Sequence, residues 1–275
     1  MNRNQYLARI AFALGMMCVG VLALVYGYAV MIAQPLPSWF HWANGLGYVS
    51  GIILLATGAG LLFERTARLS TLILLPFLAL WTLTRVPLPI ADPLREITWF
   101  LVGEIAVPFS AALVIFAGFA QVTPGSSLET VIRRHAVSTA RILVGLSVVT
   151  YGLSHFFEFA ARTVTLVPSW LPFPTAWADL AGAAQVAAGL GVLFSIYPRW
   201  SARAEAAMLG VFALLVWVPA VVTKSSLQSN WGEFLFTVAL AGAIWVVAES
   251  IPAEGVAVSR ELGAGRDGGA AARAD

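Results

Sequence analysis

The chain has 275 residues, of which 59% are hydrophobic and only 11% are charged, and its mean hydropathy is +0.83. Soluble domains do not reach this composition, so the sequence predicts an integral membrane protein whose solvent is the lipid bilayer. The formal net charge of +2 comes from basic residues spread over short loops and not over one face, which excludes a nucleic-acid partner.

Apolar stretches long enough to cross the roughly 30 Å hydrocarbon core of a bilayer recur along the chain. Seven are clear, and the remaining one, 69–84, is shorter and contains Pro76, which a membrane helix tolerates because neighbouring helices satisfy the freed carbonyl. We therefore predict an all-α protein with eight transmembrane helices, near residues 10–33, 42–63, 69–84, 97–120, 142–161, 176–197, 204–223 and 231–251.

The two ends of the chain lie outside these spans. Arg3 and Arg9 precede the first apolar run, but that run is longer than the core of a cleaved signal peptide, about 7 to 15 residues, so we expect a retained helix. Residues 252–275 are poor in large apolar side chains, and we expect them to form a disordered cytoplasmic tail.

The basic residues predict the orientation of the chain. With the N-terminus inside, twelve of the sixteen fall on the cytoplasmic side and four, Arg85, Arg95, Arg162 and Lys224, fall outside. This bias predicts that both termini are cytoplasmic and that the protein is a multi-pass protein of a bacterial-type inner (plasma) membrane.

The sequence contains an internal repeat. Residues 37–63 align without a gap on residues 168–194 with nine identities in 27 positions, among them Pro, Ser and Trp. We expect two four-helix units, 1–120 and 141–251, joined by a cytoplasmic linker at 121–140. Because each unit has an even number of spans, both insert the same way round, and their twofold axis should run along the membrane normal.

The residues that can bind metals argue against an intrinsic cofactor. Cys18 is the only cysteine, which excludes a disulfide, a CxxC pair or a thiolate metal site within the chain. Of three histidines only His155 lies in an apolar run, whereas a bis-histidine haem needs two that face each other. We therefore expect no haem and no metal centre.

The stretch VPSWLPFPTAWADLAGAAQVAAGLGVLF, followed by a basic turn and an apolar helix ending in LLVWVP, resembles the DoxX-like membrane proteins. Their unit is one four-helix bundle, which the second repeat matches over about 141–250 and the first repeat matches more loosely. The resemblance implies a subunit of a quinone-reducing or terminal oxidase system, with a quinone and a membrane or periplasmic redox partner. Several relatives carry an acid or a histidine in the second helix, where this chain has Gln185 and Leu54.

Most ionisable residues of the predicted spans fall in the outer half of the membrane or at its outer edge, whereas Glu64, Glu205 and Glu249 are expected at cytoplasmic helix ends beside arginines or water. A charge in the bilayer costs about 2.5 to 3.5 kcal/mol on insertion scales, so such residues tend to face a bundle interior or a cavity. The residues that we consider for binding are Arg85, Glu104, His155, Glu158, Asp179 and Gln185. We expect them to line a cavity that opens outward, as one site or as one site per bundle.

Each of these residues also has a structural interpretation. His155, Glu158 and Arg162 have the spacing of one helix face, and Glu158 and Arg162 could form an i,i+4 ion pair that only reaches toward the headgroups. Glu104 should pair with Arg85 or Arg95, or stay protonated.

Two further side chains in the sixth predicted helix have structural alternatives. Asp179 could cap the N-terminus of that helix, and Gln185 could join two helices by a hydrogen bond.

No self-contained catalytic motif occurs in the chain, so the sequence favours a non-catalytic role. The resemblance implies an accessory or quinone-linked subunit of a membrane redox system. The outer polar residues and the repeat favour a second hypothesis, a binding or transport protein for a lipid-like or small molecule. A third hypothesis is a membrane scaffold without a ligand.

Overall fold

The computed structural model describes residues 2–27, 43–119, 127–224, 226 and 228–252. Within these residues the chain is helical and contains no β-strand. The Pro-Ser-Trp segment of the first repeat, residues 121–126 of the predicted linker and the predicted tail beyond residue 252 lie outside them. Residues 127–140, assigned to that linker from the sequence, belong to a helix that begins at Ser127.

The helices are α1 (Arg3–Tyr26), α2 (Ala43–Leu61), α3 (Glu64–Arg85), α4 (Pro87–Ala91), α5 (Glu96–Phe119), α6 (Ser127–Ser154), α7 (Ala160–Leu166), α8 (Pro174–Leu193), α9 (Pro198–Phe212), α10 (Val218–Thr223) and α11 (Gln228–Ser250). A π-helical turn, Ala213–Trp217, connects α9 to α10, so that the two form one rod. Pro76 lies inside α3 without ending it, as expected of a membrane helix.

Local signals fix the ends of α1. Asn2 caps its N-terminus by accepting a hydrogen bond from the Gln5 amide, and the Gln5 side chain accepts one from the Asn2 amide in return. Gly27 ends the helix in the left-handed conformation at φ 66°.

Seven helical segments of the described chain are long and apolar enough to cross a membrane, and the protein is therefore a multi-pass membrane protein. They are Arg3–Tyr26, Glu64–Ala91, Glu96–Phe119, Thr130–Ser154, Pro174–Leu193, Pro198–Thr223 and Gln228–Ser250. The span at 69–84 that is weakest in the sequence lies within the second of these. Helix α2 is apolar but shorter over Gly45–Leu61, and it follows directly on residues that the structure does not describe.

The long helices pack in a ring that follows the chain. Each packs on the next from α1 through α2, α3, α5, α6, α8 and α9 to α11, which returns to α1, and α5 also touches α11 across the middle. The first helix of each half therefore packs chiefly on the last helix of the other half. The halves are interlocked, which differs from two bundles that each close on themselves.

Matching glycines allow the first two long helices of each half to cross closely. A Cβ on Gly20 would lie 2.9 Å from the Gly51 carbonyl oxygen, and one on Gly152 would lie 2.5 Å from that of Gly182. Any larger residue at these crossings would separate the backbones.

The ring has two ends that ion pairs and hydrogen bonds define. At one end lie α4 and α7, where Arg162 of α7 pairs with Glu233 near the start of α11, and we call it the α4 end. At the other, the N-terminal end, Gln5 Nε2 donates to the Glu249 carbonyl oxygen at 3.1 Å. The Glu249 carboxylate accepts hydrogen bonds there from Arg199 Nη2 at 2.6 Å and Arg203 Nε at 2.8 Å.

Candidate functional site

Arg85 and Glu104 form a buried ion pair between α3 and α5. Arg85 Nη1 lies 3.4 Å from Glu104 Oε2 and also donates to the Leu101 carbonyl oxygen at 3.0 Å. The two side chains are only 1% and 8% exposed. This confirms Arg85 as the partner of Glu104, because an acid at this depth is stable only beside a cation or a donor.

Tyr151 of α6 brings the second half of the chain to this ion pair. Its ring packs edge-to-face on Phe100 with centroids 5.2 Å apart, and its phenol interacts electrostatically with Glu104, Arg85 and Glu205. Glu104 thus faces the second half, although the sequence suggested that it would serve the first. The Tyr151 hydroxyl is buried and has no hydrogen-bond partner in the part of the chain that the structure describes.

Gln185 and Glu205 join α8 to α9 inside the second half. Gln185 Nε2 donates to Glu205 Oε1 at 3.1 Å, and the residues are 3% and 1% exposed. The predicted role of Gln185 in an interhelical hydrogen bond is confirmed. The sequence interpretation of Glu205 as an interfacial residue beside arginines was wrong, because it lies two turns inside α9 on the face that buries Ala202 and Leu209.

We call Arg85, Glu104, Tyr151, Gln185 and Glu205 the interior cluster. Gln185 Oε1 and Glu205 Oε2 are buried and, like the Tyr151 hydroxyl, accept or donate no hydrogen bond among the described residues. Buried polar atoms are nearly always paired with protein, water or a ligand. Arg85 Nε is likewise buried without a partner among the described residues, so the cluster presents two acceptors, one hydroxyl and one guanidinium N–H to a further polar group.

The repeat-equivalent positions of the polar residues in the interior cluster are apolar. Equivalent residues of the two halves are 131 positions apart in the second and third long helices. The contact of Gly60 with Ser70 in the first half, for example, is repeated by the contact of Gly191 with Ser201 in the second half. The separation is 132 positions in the first and fourth long helices, as Arg9 aligns with Arg141 and Trp99 with Trp231. By this register Tyr151, Gln185, Glu205 and Glu104 correspond to Val19, Leu54, Leu74 and Phe236. Val19, Leu54 and Phe236 line a void of about 20 Å³.

The π-helical turn is a second feature of the second half alone. Before the turn, the buried residues Leu74 and Leu78 of α3 correspond to Glu205 and Leu209 at a distance of 131 residues. After the turn, buried Arg85 corresponds to buried Trp217 at a distance of 132 residues. The register between the halves therefore increases by one residue at the π-helical turn. A π-turn is a one-residue insertion into an α-helix, and such turns are frequent at functional sites. This insertion lies about two turns from Glu205 toward the α4 end.

His155 lies outside the interior cluster. Helix α6 ends at Ser154, and the His155 Nδ1 atom lies 2.9 Å from the Ala178 carbonyl oxygen. A carbonyl only accepts hydrogen bonds, so Nδ1 carries the proton. His155 therefore fastens the α6–α7 turn to α8.

Glu158 pairs with Arg95 and not with Arg162. Arg95 Nε donates to Glu158 Oε2 at 3.0 Å, and its Nη2 bonds to Oε1, while Arg162 pairs with Glu233 at 2.7 Å. The predicted i,i+4 pair was wrong because the chain turns at 155–159, so that the two residues do not share one helix. The hydrogen bond and charge of Arg95 hold the pKa of Glu158 below its ordinary value.

Asp179 is exposed on α8 and does not cap it. The cap position is Phe173 and the helix begins at Pro174, which places Asp179 at its sixth residue. The six candidate residues are thus distributed over the buried pair Arg85–Glu104, the buried pair of Gln185 with Glu205, and three separate surface positions. Sequence reasoning did not identify Tyr151 or Glu205.

The DoxX family model matches residues 136–218. This stretch of the chain is DoxX-like. It runs from α6 to the first residue of α10, covers less than a third of the chain, and contains Tyr151, Gln185 and Glu205 of the interior cluster. No curated protein and no solved structure gives a significant match. Among the described residues no three His, Cys, Asp or Glu side chains lie together in a way that could hold a metal ion.

Proposed function

We propose that the protein is an accessory, quinone-linked subunit of a membrane redox system, and that the interior cluster binds the quinone headgroup. The observation that carries this proposal is the set of unpaired buried polar atoms within the DoxX-like stretch. The corresponding side chains of the first half are apolar, so the fold itself does not require polar groups at these positions.

The chemistry of the cluster suits a quinone. A quinone carbonyl accepts hydrogen bonds and a quinol hydroxyl donates them, so the ligand needs both donors and acceptors in an otherwise apolar pocket. Tyr151 offers a hydroxyl donor, and Gln185 Oε1 and Glu205 Oε2 offer acceptors. An isoprenoid tail would lie between the helices or in the surrounding lipid.

The same proposal includes the arrangement of the protein in the membrane. We infer eight spans, with α2 as the eighth, and both termini on the cytoplasmic side of a bacterial-type inner membrane. The excess of basic residues near the N-terminal end supports this orientation. The redox chemistry would then belong to a membrane or periplasmic partner.

Quinone retention tests the proposal. Purified protein would be reconstituted in nanodiscs with a short-chain quinone, washed, and extracted for mass spectrometry. Gln185→Leu, which installs the residue found at position 54, should lower retention by about tenfold or more, a loss of about 1.4 kcal/mol of binding free energy. Gln5→Leu, the same change at the N-terminal end, is the matched control and should retain the wild-type amount.

Two results would contradict the proposal. One is wild-type retention no higher than that of empty nanodiscs, which would favour the ligand-free scaffold. The other is equal retention by Gln185→Leu and Gln5→Leu in samples that are equally monodisperse on size-exclusion chromatography.

A second candidate function is the binding or transport of a small polar molecule that enters from the α4 end. The partly exposed pair Arg162–Glu233 lies at that end and interacts electrostatically with buried Glu104. A polar compound that co-purifies with wild type and is lost from Glu104→Gln, without quinone retention, would favour this candidate.

A further inference from the structure

We propose that the interior cluster conducts protons between Glu205 and the solvent at the α4 end, and that it is closed toward the N-terminal end. This activity does not depend on a quinone. It follows from how ionisable side chains from both halves succeed one another along the bundle.

The succession begins at the surface. Arg162 and Glu233 are paired at 2.7 Å and are 51% and 27% exposed, so both reach solvent. Both interact electrostatically with Glu104, which forms the buried pair with Arg85. A proton that reaches Glu233 from water is therefore within electrostatic range of a second and more deeply buried carboxylate, that of Glu104.

Tyr151 connects this pair to the deeper carboxyl group. Its phenol interacts electrostatically with both Glu104 and Glu205. Its hydroxyl has no partner among the described residues, and neither has Glu205 Oε2. A hydroxyl can donate and accept at once, so this unpaired group can relay a proton between two carboxyl groups with which it interacts.

Packing closes the opposite direction. Ala202 lies one turn from Glu205 toward the N-terminal end of α9, and Val192 lies two turns from Gln185 on α8, and both are fully buried. The next acid in that direction, Glu249 of α11, is held by Arg199 and Arg203.

Two groups on neighbouring helices interact with Glu205. Gln185 of α8 donates a hydrogen bond to it, and Tyr151 of α6 interacts with it electrostatically.

The step conserves atoms and charge. The O–H bond of the protonated Glu205 carboxyl breaks, and its proton passes to the Tyr151 oxygen, directly or through one water, as the tyrosine proton moves on to the Glu104 carboxylate. Glu104 then releases a proton past Glu233 to water at the α4 end. Tyr151 ends as it began, one proton has left Glu205, and no electron has moved.

The first half provides an internal comparison. The equivalents of Tyr151 and Glu205 in the first half are Val19 and Leu74, and the equivalent of Glu104 in the second half is Phe236, none of which can carry a proton. If helix packing required the polar groups, these equivalent positions would need them too.

Hydrogen–deuterium exchange at Glu205 tests the proposal. In nanodiscs, the infrared band of a protonated carboxyl group that disappears in Glu205→Gln would be followed after a jump into D₂O over a range of pD. Tyr151→Phe should slow its exchange by about tenfold or more, equivalent to about 1.4 kcal/mol of barrier. Tyr48→Phe, a tyrosine of α2 outside the cluster, should exchange at the wild-type rate.

Glu104→Gln is an independent second variant and should slow the same band. In uniformly oriented liposomes, a pH jump at the α4 side should change the band before a jump at the other side does. Equal exchange rates in wild type, Tyr151→Phe and Glu104→Gln would overturn the proposal, as would the reverse sidedness. So would the lack of any band that Glu205→Gln removes. Quinone retention has no part in this readout, so the two proposals fail separately.

Discussion

Replacing Gln185 and Glu205 by leucine, singly and together, tests whether their hydrogen bond exists for stability. Leucine is the residue at both equivalent positions of the first half, Leu54 and Leu74, so each substitution has a precedent in the same fold. Both side chains are almost fully buried and are joined at 3.1 Å. Either single variant leaves the other group buried without its partner.

The expected magnitudes follow from that geometry. An unpaired buried polar group costs about 1–3 kcal/mol, and membrane proteins lie toward the low end because the unfolded chain also finds partners. Gln185→Leu and Glu205→Leu should therefore each lower the free energy of unfolding by about 1–2 kcal/mol. The double variant removes both groups together and should lie within about 1 kcal/mol of wild type, or above it. The double-mutant cycle of wild type, the two single variants and the double variant should then give a coupling free energy of about 2 kcal/mol between Gln185 and Glu205.

The assay is reversible unfolding in mixed detergent micelles, followed by tryptophan fluorescence. Refutation would be additive losses in the double variant, which would mean that the two groups stabilise the helices independently. The double variant should also lose quinone retention and the Glu205 carboxyl band while it stays folded. Stability and function are thereby measured on the same protein.

Three further predictions concern packing, pH and topology. Gly152→Ala places a Cβ 2.5 Å from a backbone oxygen of α8, whereas the Cβ of Gly210→Ala has no atom within 4 Å. In thermal unfolding the Gly152→Ala variant should therefore be less stable than the Gly210→Ala variant by about 1–3 kcal/mol. Equal stability of the two variants would contradict the close crossing. Arg95 lowers the pKa of Glu158 in the folded protein. Their ion pair therefore stabilises the folded protein at pH values above the unfolded-state pKa of glutamate, about 4.3, and this stabilisation is lost as the pH falls through the lowered pKa of Glu158 in the folded state. Glu158→Gln should therefore lower the melting temperature slightly at pH 7 and not at strongly acid pH, and a difference that grows toward acid would disprove the sign. A reporter inserted at Ser226 should be active on the opposite side of the membrane from one at the N-terminus, and activity on the same side would contradict the eight-span topology.

Hydrophobicity made the class of fold predictable, but not how the helices associate. The predicted spans and the helices agree closely in α5 and α11, because an uninterrupted apolar run leaves the backbone no alternative to a helix in lipid. Helix α1 begins and ends about seven residues earlier than the predicted span 10–33. Pro76 made its span look doubtful, yet the helix continues to Arg85. The interlocking of the halves depends on which surfaces complement each other across more than 100 residues, and residue spacing carries no such information.

Glu205 shows why two of the five residues of the interior cluster escaped the sequence analysis. Arg199 and Arg203 lie close to it along the chain, which suggested an ordinary interfacial residue. Residues two apart on a helix point to nearly opposite sides, so Arg203 turns to Glu249 while Glu205 turns inward. The periodicity of buried Ala202 and Leu209 around Glu205 is a signal in the sequence that could have revealed its orientation.

The i,i+4 argument failed at Glu158 for a different reason. It requires that a helix continue through both residues, and α6 ends at Ser154. Glu104 and Arg85 were easier to pair, because a buried acid needs a cation and few cations lie at the α4 end. Predictions from charge balance were thus more successful here than predictions from spacing near a helix end.

The two halves offer the strongest argument that the interior cluster has a function. A buried polar pair contributes little stability compared with well-packed hydrophobic residues of similar volume, and the first half packs leucine at both positions. Packing therefore does not explain Gln185 and Glu205. If their role is chemical, Leu54→Gln with Leu74→Glu should build the same pair in the first half without giving it proton exchange, because Val19 offers no hydroxyl at the position of Tyr151. Exchange at the new carboxyl group as fast as at Glu205 would show that any buried acid in this fold reaches water, and the relay through Tyr151 would be unnecessary.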